Sequence, residues 1–292
     1  MNNEEMFPRD DLLSREELRN KFGILNYVVF IAMLLVSALI GVFYWWKGQK
    51  NTDEFLLASR SMSTLPMTLS LVASFMSAIT LLGFPAEIYR AGTQFSVGLL
   101  VFPFCMAFVI HFMLPVYDEL KLTTSYQYLE LRFNKGVRLL VSSLFCLHMI
   151  IYMAIVVYAP ALALIQVTGF LGGVQYDTEI ACAIIYAVCI FYSCIGGIKA
   201  VIWTDTFQAV CMFGSYLGII IYGSEYVGGP AKVFDINYQA GRVELFNLDP
   251  DIRQRHTVLG VLISTFFTWI SVYGTNQAQV QRYSTVRLDC KI

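Results

Sequence analysis

Apolar runs long enough to cross a bilayer alternate along the chain with short polar stretches. The first, at 24–46, closes on Phe43, Tyr44, Trp45 and Trp46 just before Lys47, and aromatics followed by a lysine mark a membrane interface. Further runs lie at 65–92, 95–117 (interrupted by Pro103), 139–168, 180–195, 201–226 and 257–280. A spanning helix needs roughly 20 residues, so the pattern predicts seven spans. Gly196 and Gly197 leave room only for a very tight turn between the fifth and the sixth. The stretch 227–256, with its Gly, Pro and Asp content, reads as a long polar loop. Residues 1–22 mix acidic and basic side chains and read as a solvated tail.

The run at 65–92 carries hydroxyls, Ser70, Ser74, Ser77 and Thr80, at helical spacing. An anchor gains nothing from them, because an unpartnered hydroxyl costs free energy in hydrocarbon. Gly83 and Pro85 are expected to weaken the helix beyond this ladder, and a helix broken near mid-membrane exposes carbonyls that can hold a small cation. The plainer reading, hydroxyls bonding back to their own helix or to neighbours, stands beside it. The last run, with Ser264, Thr265, Thr268, Ser271, Thr275, Asn276 and Gln277 around Gly274, is its counterpart. Interrupted helices at corresponding places in two repeats point to a transporter site.

Composition narrows the class. The chain is 57% hydrophobic and 14% charged, with mean hydropathy +0.60, as expected of an all-α multi-pass membrane protein. A net charge of −1 gives no electrostatic case for nucleic acid. The seven cysteines contain no CxxC and mostly sit in apolar runs, where a thiol acts as a small hydrophobe. No cleavable signal peptide is recognisable. Lys47, Lys50, Arg60, Lys121, Arg132, Lys135, Arg138, Lys199, Arg282, Arg287 and Lys291 fall on one side of the predicted spans, which puts that side inside and the N-terminus outside. Glu87, Glu130, Asp205 and Glu225 lie at span ends rather than centres. That favours a hard cation held by oxygens over a proton relay. Asp205, beside Trp203 and Thr204, reads equally as a cation-attracting group at an inner mouth and as an N-cap. His111 reads as a helix–helix hydrogen bonder.

Residues 196–208, GGIKAVIWTDTFQ, closely resemble the signature of the sodium/solute symporter family. TSYQYLELRFN at 124–134, YAPALA at 158–163 and NQAQVQRY at 276–283 resemble the same family, most of all its multivitamin and monocarboxylate branch. The resemblance implies a LeuT-type fold of two inverted five-helix repeats behind one peripheral helix. On that plan 23–47 is the peripheral helix and 62–226 the first repeat. An extracellular loop at 227–256 precedes the first helix of the second repeat at 257–283, and 284–292 is a cytoplasmic end. The chain then stops four core helices short and looks truncated.

The resemblance also places roles on residues. Sodium, the coupling ion and the only cofactor, is expected on the backbone carbonyls of Ala73 and Met76, with Asp205 on its release path. Ser77, Thr80, Tyr273 and Asn276 are candidates for the substrate cavity, where half-helix ends favour a carboxylate. The sugar carriers have glutamine where Thr80 stands, and an aromatic gate where Val272 stands beside Tyr273, which argues against a sugar. The expectation is therefore sodium-coupled symport of a small organic anion, such as biotin, pantothenate or a monocarboxylate, across the plasma membrane. Expected partners are the lipid bilayer and a second copy or full-length relative. A non-transporting truncated form that binds that relative is the alternative. A seven-span receptor lacks its inner Asp-Arg-Tyr, and no GxGD or HExxH motif suggests an enzyme.

Overall fold

The computed structural model describes residues 23–48, 51–120, 122, 124–168, 177–249, 251 and 253–286. The tail at 1–22 and the end at 287–292 lie outside the described residues. Helices α1 (Ile24–Lys47), α2 (Thr52–Leu57), α3 (Thr64–Phe75), α4 (Ala78–Ala91) and α5 (Thr93–Glu119) come first. They are followed by α6 (Ser125–Arg132), α7 (Lys135–Thr168), α8 (Asp177–Val227), α9 (Pro230–Gln239), α10 (Val258–Thr275) and α11 (Gln277–Tyr283).

By length and apolar composition α1, α5, α7, α8 and α10 can each cross a bilayer, and the bent pair α3–α4 makes a sixth. Helix α8 has 51 residues, on the order of 75 Å at 1.5 Å per residue, more than twice the hydrocarbon thickness. It bends at Gly197, whose φ of 62° and ψ of −166° only glycine adopts without strain. One helical element therefore supplies the two runs that the sequence separates. Its second segment starts about two turns before Thr204, so Thr204 and Asp205 lie inside a helix and are not its cap.

Close approach explains how α1 attaches. Gly41 sits against Tyr192, and a methyl added to Gly196 would meet Ala200 and the backbone of Gly41. Small residues let membrane helices touch backbone to backbone. The Tyr27 hydroxyl fixes the other end by donating to the Thr168 carbonyl (3.1 Å). Only 11% of the apolar window of α1 is buried, and Leu25, Leu35, Leu39 and Trp46 point outward. That surface suits lipid.

Three further expectations change. Helix α5 is not simply interrupted at Pro103: it runs as 3-10 turns over Thr93–Val101, as an α-helix over Phe102–Phe108, and through a π turn at Val109–Met113 into Leu114–Glu119. Pro103 and Pro115 each stand just after a change of helical pitch, where a residue without an N–H interrupts the ladder of an otherwise continuous helix. His111 bonds within its own helix, Nδ1–H donating to the Ala107 carbonyl (2.8 Å), rather than across helices. The long loop opens with α9, which starts on Pro230.

Candidate functional site

The sequence predicts interrupted helices at corresponding places in two repeats, and the structure has a break in each. The first is not at Gly83 or Pro85: α4 continues through both. It falls at Met76 (φ −81°, ψ 67°) and Ser77 (φ −82°, ψ 168°), where α3 ends and α4 begins at 65° to it. The Thr80 hydroxyl bridges the break, sharing its one proton between the Ser77 carbonyl (2.7 Å) and the Phe75 carbonyl (3.2 Å). The Ser77 carbonyl also keeps a helical donor, the Leu81 N–H (2.9 Å), so the Thr80 hydroxyl is an extra donor there and a substitute donor for Phe75 at the end of α3. The Met76 N–H still donates to the Val72 and Ala73 carbonyls (both 3.2 Å), leaving the second lone pair of Ala73 for another partner.

The second break is at Asn276 (φ −65°, ψ 125°), two residues past Gly274. Asn276 Oδ1 accepts from the Ala278 N–H (2.9 Å) and caps α11. Gly274 instead packs under Met113, and its carbonyl accepts from the Tyr117 hydroxyl (2.9 Å). Gln277 Oε1 accepts from both the N–H and the hydroxyl of Ser125 at the start of α6 (2.9 and 3.1 Å).

Aromatic side chains join the two broken pairs. Phe75, the last residue of α3, meets Tyr273 edge-on at 5.0 Å and Trp269 at 5.7 Å, and those two stack on one another at 5.4 Å. Tyr273 is thus brought beside the first break. Asn276 lines a cavity of about 700 Å³ with Tyr126, His148 and Ser271, of which Ser77, Thr80 and Tyr273 are not members. The four substrate candidates accordingly divide between two places.

Of the hydroxyl ladder, Ser74 bonds back to the Ser70 carbonyl (2.8 Å), and among the described residues only Ser70 reaches a helix beyond the α3–α4 pair. Its Oγ donates to Asp205 Oδ2 at 2.7 Å. Arg282, in the last turn of α11, donates to the same Oδ2 from Nη2 (3.1 Å) and to Ser70 Oγ from Nε (3.2 Å). The triangle joins α3, α8 and α11, with only 15% of Asp205 and 12% of Arg282 exposed. A carboxylate in such a place needs its partner, because the unpaired charge is costly there. Sequence reasoning had counted Arg282 only as an inner positive charge. The signal was available: it is the sole charged residue between His256 and Arg287, opposite in sign to the lone acidic residue between Glu179 and Glu225.

At the other end of α4, Glu87 Oε1 and Oε2 accept from Arg255 Nε and Nη2 (2.6 and 2.8 Å), and Oε1 also from His256 Nε2–H (2.7 Å).

This arrangement has counterparts. Residues 55–288 match the model of the "Sodium:solute symporter family". The chain is 45% identical over 273 residues to the sodium-coupled monocarboxylate transporter 1 of Mus musculus, covering 92% of this chain and 43% of that protein. It is 42% identical over 281 residues to the sodium-dependent multivitamin transporter of Oryctolagus cuniculus, covering 93% and 42%. A solved structure of a Na+-coupled sialic acid symporter, in a substrate-bound outward-open state, superposes with a TM-score of 0.83 at 30% identity, covering 91% of this chain and 55% of the other. The chain spans less than half the length of the curated relatives named. With the LeuT-type helical plan, the paired breaks and the family match in agreement, the chain belongs to the sodium:solute symporter family.

Proposed function

We propose that these residues form the first part of a sodium-coupled symporter that carries a small organic anion, a monocarboxylate or a vitamin such as biotin or pantothenate, across the plasma membrane with the N-terminus outside. The observation that carries the reading is the pair of broken helices, at Met76–Ser77 and at Asn276. At the first break the C-terminal end of α3 presents carbonyls and the N-terminal end of α4 presents N–H groups. The former suit a cation and the latter a carboxylate. Sodium rests on the carbonyls of Ala73 and Met76, with Asp205 on its way to the inner side. Ser77 and Thr80 stand where the anion meets α4, with Tyr273 beside them. Identity to monocarboxylate and multivitamin transporters supports the substrate class. The work is transport rather than catalysis.

The test is uptake of labelled lactate, biotin, pantothenate and iodide by the complete transporter, with sodium and with choline in its place. Sodium-dependent uptake of a carboxylate that drops sharply in Asp205→Ala and in Thr80→Ala is expected. Wild-type uptake in both variants would overturn the site assignment, and uptake indifferent to sodium would overturn the reading. Expressing the 292 residues alone, and testing whether they pair with a full-length relative, separates a transporting unit from a regulatory one.

A further inference from the structure

The Asp205 triangle contains a cation already, the guanidinium of Arg282. Both hydrogen bonds to the carboxylate land on Oδ2, and among the described residues none donates to Oδ1. The pair sits where water is scarce, so the carboxylate requires one positive neighbour at all times and tolerates two poorly. Arg282 is also the group through which α11 is held to α3 and α8. Around it the same end of α11 is fastened twice more. Gln281 Nε2 donates to the Leu56 carbonyl (2.8 Å), and the Met62 N–H donates to the Thr285 carbonyl (3.2 Å).

We propose that Arg282 is a built-in stand-in for sodium: it neutralises Asp205 when no ion is there and is displaced when sodium arrives on Oδ1, so that ion arrival unlatches α11 from α3. Charge balances in both states. With the arginine seated, the carboxylate and guanidinium cancel. With sodium seated, the carboxylate and the ion cancel, and the long arginine side chain, in the last turn of a helix ending at the polar boundary, extends its head toward water. Ser70 serves both states, since its hydroxyl donates to Asp205 and accepts from Arg282. Arg282 is here a positioning residue, and the role rests on the reading of Asp205 as a point on the sodium path.

The experiment uses the complete transporter and records the sodium concentration for half-maximal uptake together with the maximal rate, per molecule at the surface. In Arg282→Gln the competitor is gone, so half-saturating sodium falls about fivefold or more, while the maximal rate drops because the ion leaves Asp205 more slowly. Arg282→Lys keeps the charge and restores the sodium requirement toward wild type. A general packing defect lowers the rate alone and is not rescued in this way. Half-saturating sodium that is unchanged or raised in Arg282→Gln, with normal sodium dependence in the unmodified transporter, overturns the exchange and leaves the symport reading standing. Sodium-independent uptake by the unmodified transporter overturns that parent reading. Should Arg282→Gln fail to reach the surface, Thr285→Cys decides. Thr285 is fully buried, with its hydroxyl on Met67 Sδ (3.6 Å). The introduced thiol is expected to resist an inner-side thiol reagent without sodium and to react with it present, measured against the parent protein. Equal labelling in both conditions overturns the proposal.

Discussion

Asp205 and Arg282 show what a single charge in an apolar segment implies: hydrocarbon does not tolerate it alone, so a partner of opposite sign must be near. Glycines act at the same scale by what they leave out. A Cβ on Gly41 would stand 2.8 Å from Tyr192 Cβ and 3.0 Å from its Cα, backbone positions that cannot swing away, whereas one on Gly214 would meet nothing within 4 Å. Gly41→Ala is therefore expected to destabilise the α1–α8 contact by about 1–3 kcal/mol, the usual scale of overpacking, and Gly214→Ala to leave stability unchanged or slightly raised. Thermal unfolding in detergent checks both. Equal effects of the two substitutions would mean that α1 is not seated by close approach.

At the scale of elements the breaks are the informative features, and each is held by a side chain. Replacing the Thr80 hydroxyl with a methyl of the same size, Thr80→Val, leaves the Phe75 carbonyl without its side-chain donor, while the Ser77 carbonyl keeps only the Leu81 N–H. The cost is about 1–3 kcal/mol where water does not reach, and Thr80→Ser keeps most of it. Because the hydroxyl fastens the protein's own backbone, the loss in melting temperature is expected with no sodium or anion present. A Thr80→Val protein that melts like wild type until substrate is added would make the hydroxyl a ligand group instead. The sequence made the helices legible because an apolar run of bilayer length has few alternatives to a helix. From propensity the breaks were legible only as a neighbourhood, whereas the family resemblance, which puts the broken first core helix at Ala73 and Met76, marked the first of them. Gly83, Pro85 and Gly274 attracted attention as helix breakers, yet α4 and α10 run through them. The actual breaks fall at residues whose backbone leaves the helix while polar side chains replace the lost bonds, Thr80 at the first and Asn276 at the second. Propensity does not register that compensation. The ladder likewise marked α3 as special without revealing that Ser70 alone, of the hydroxyls on α3, reaches across to Asp205.

Over the whole molecule the broken helices form two pairs, fastened at opposite ends by different chemistry. One pair, α3 with α11, is joined by the largely buried Asp205 triangle and by the backbone bond between Met62 and Thr285. The other pair, α4 with the approach to α10, is joined by Glu87 with Arg255 and His256. The strand of loop leading there is laid over the α4–α5 turn. The Thr93 N–H donates to the Arg242 carbonyl (2.8 Å) and the Asn247 N–H to Gln94 Oε1 (2.9 Å), and the Arg242 guanidinium lies 4.1 Å over the Tyr89 ring. Arg255 is 72% exposed, so salt screens the Glu87 clamp far more than the Asp205 triangle. Amide hydrogen exchange in the complete transporter should therefore quicken over 242–256 in Glu87→Gln, or in high salt, while 281–286 exchanges at its original rate. Arg282→Gln should do the reverse. If either substitution quickens both regions alike, the two pairs are not separate units and the molecule opens as one block. Should each respond alone, the two ends can be released in turn, which is the mechanical requirement for exposing one site first to one side of a membrane and then to the other.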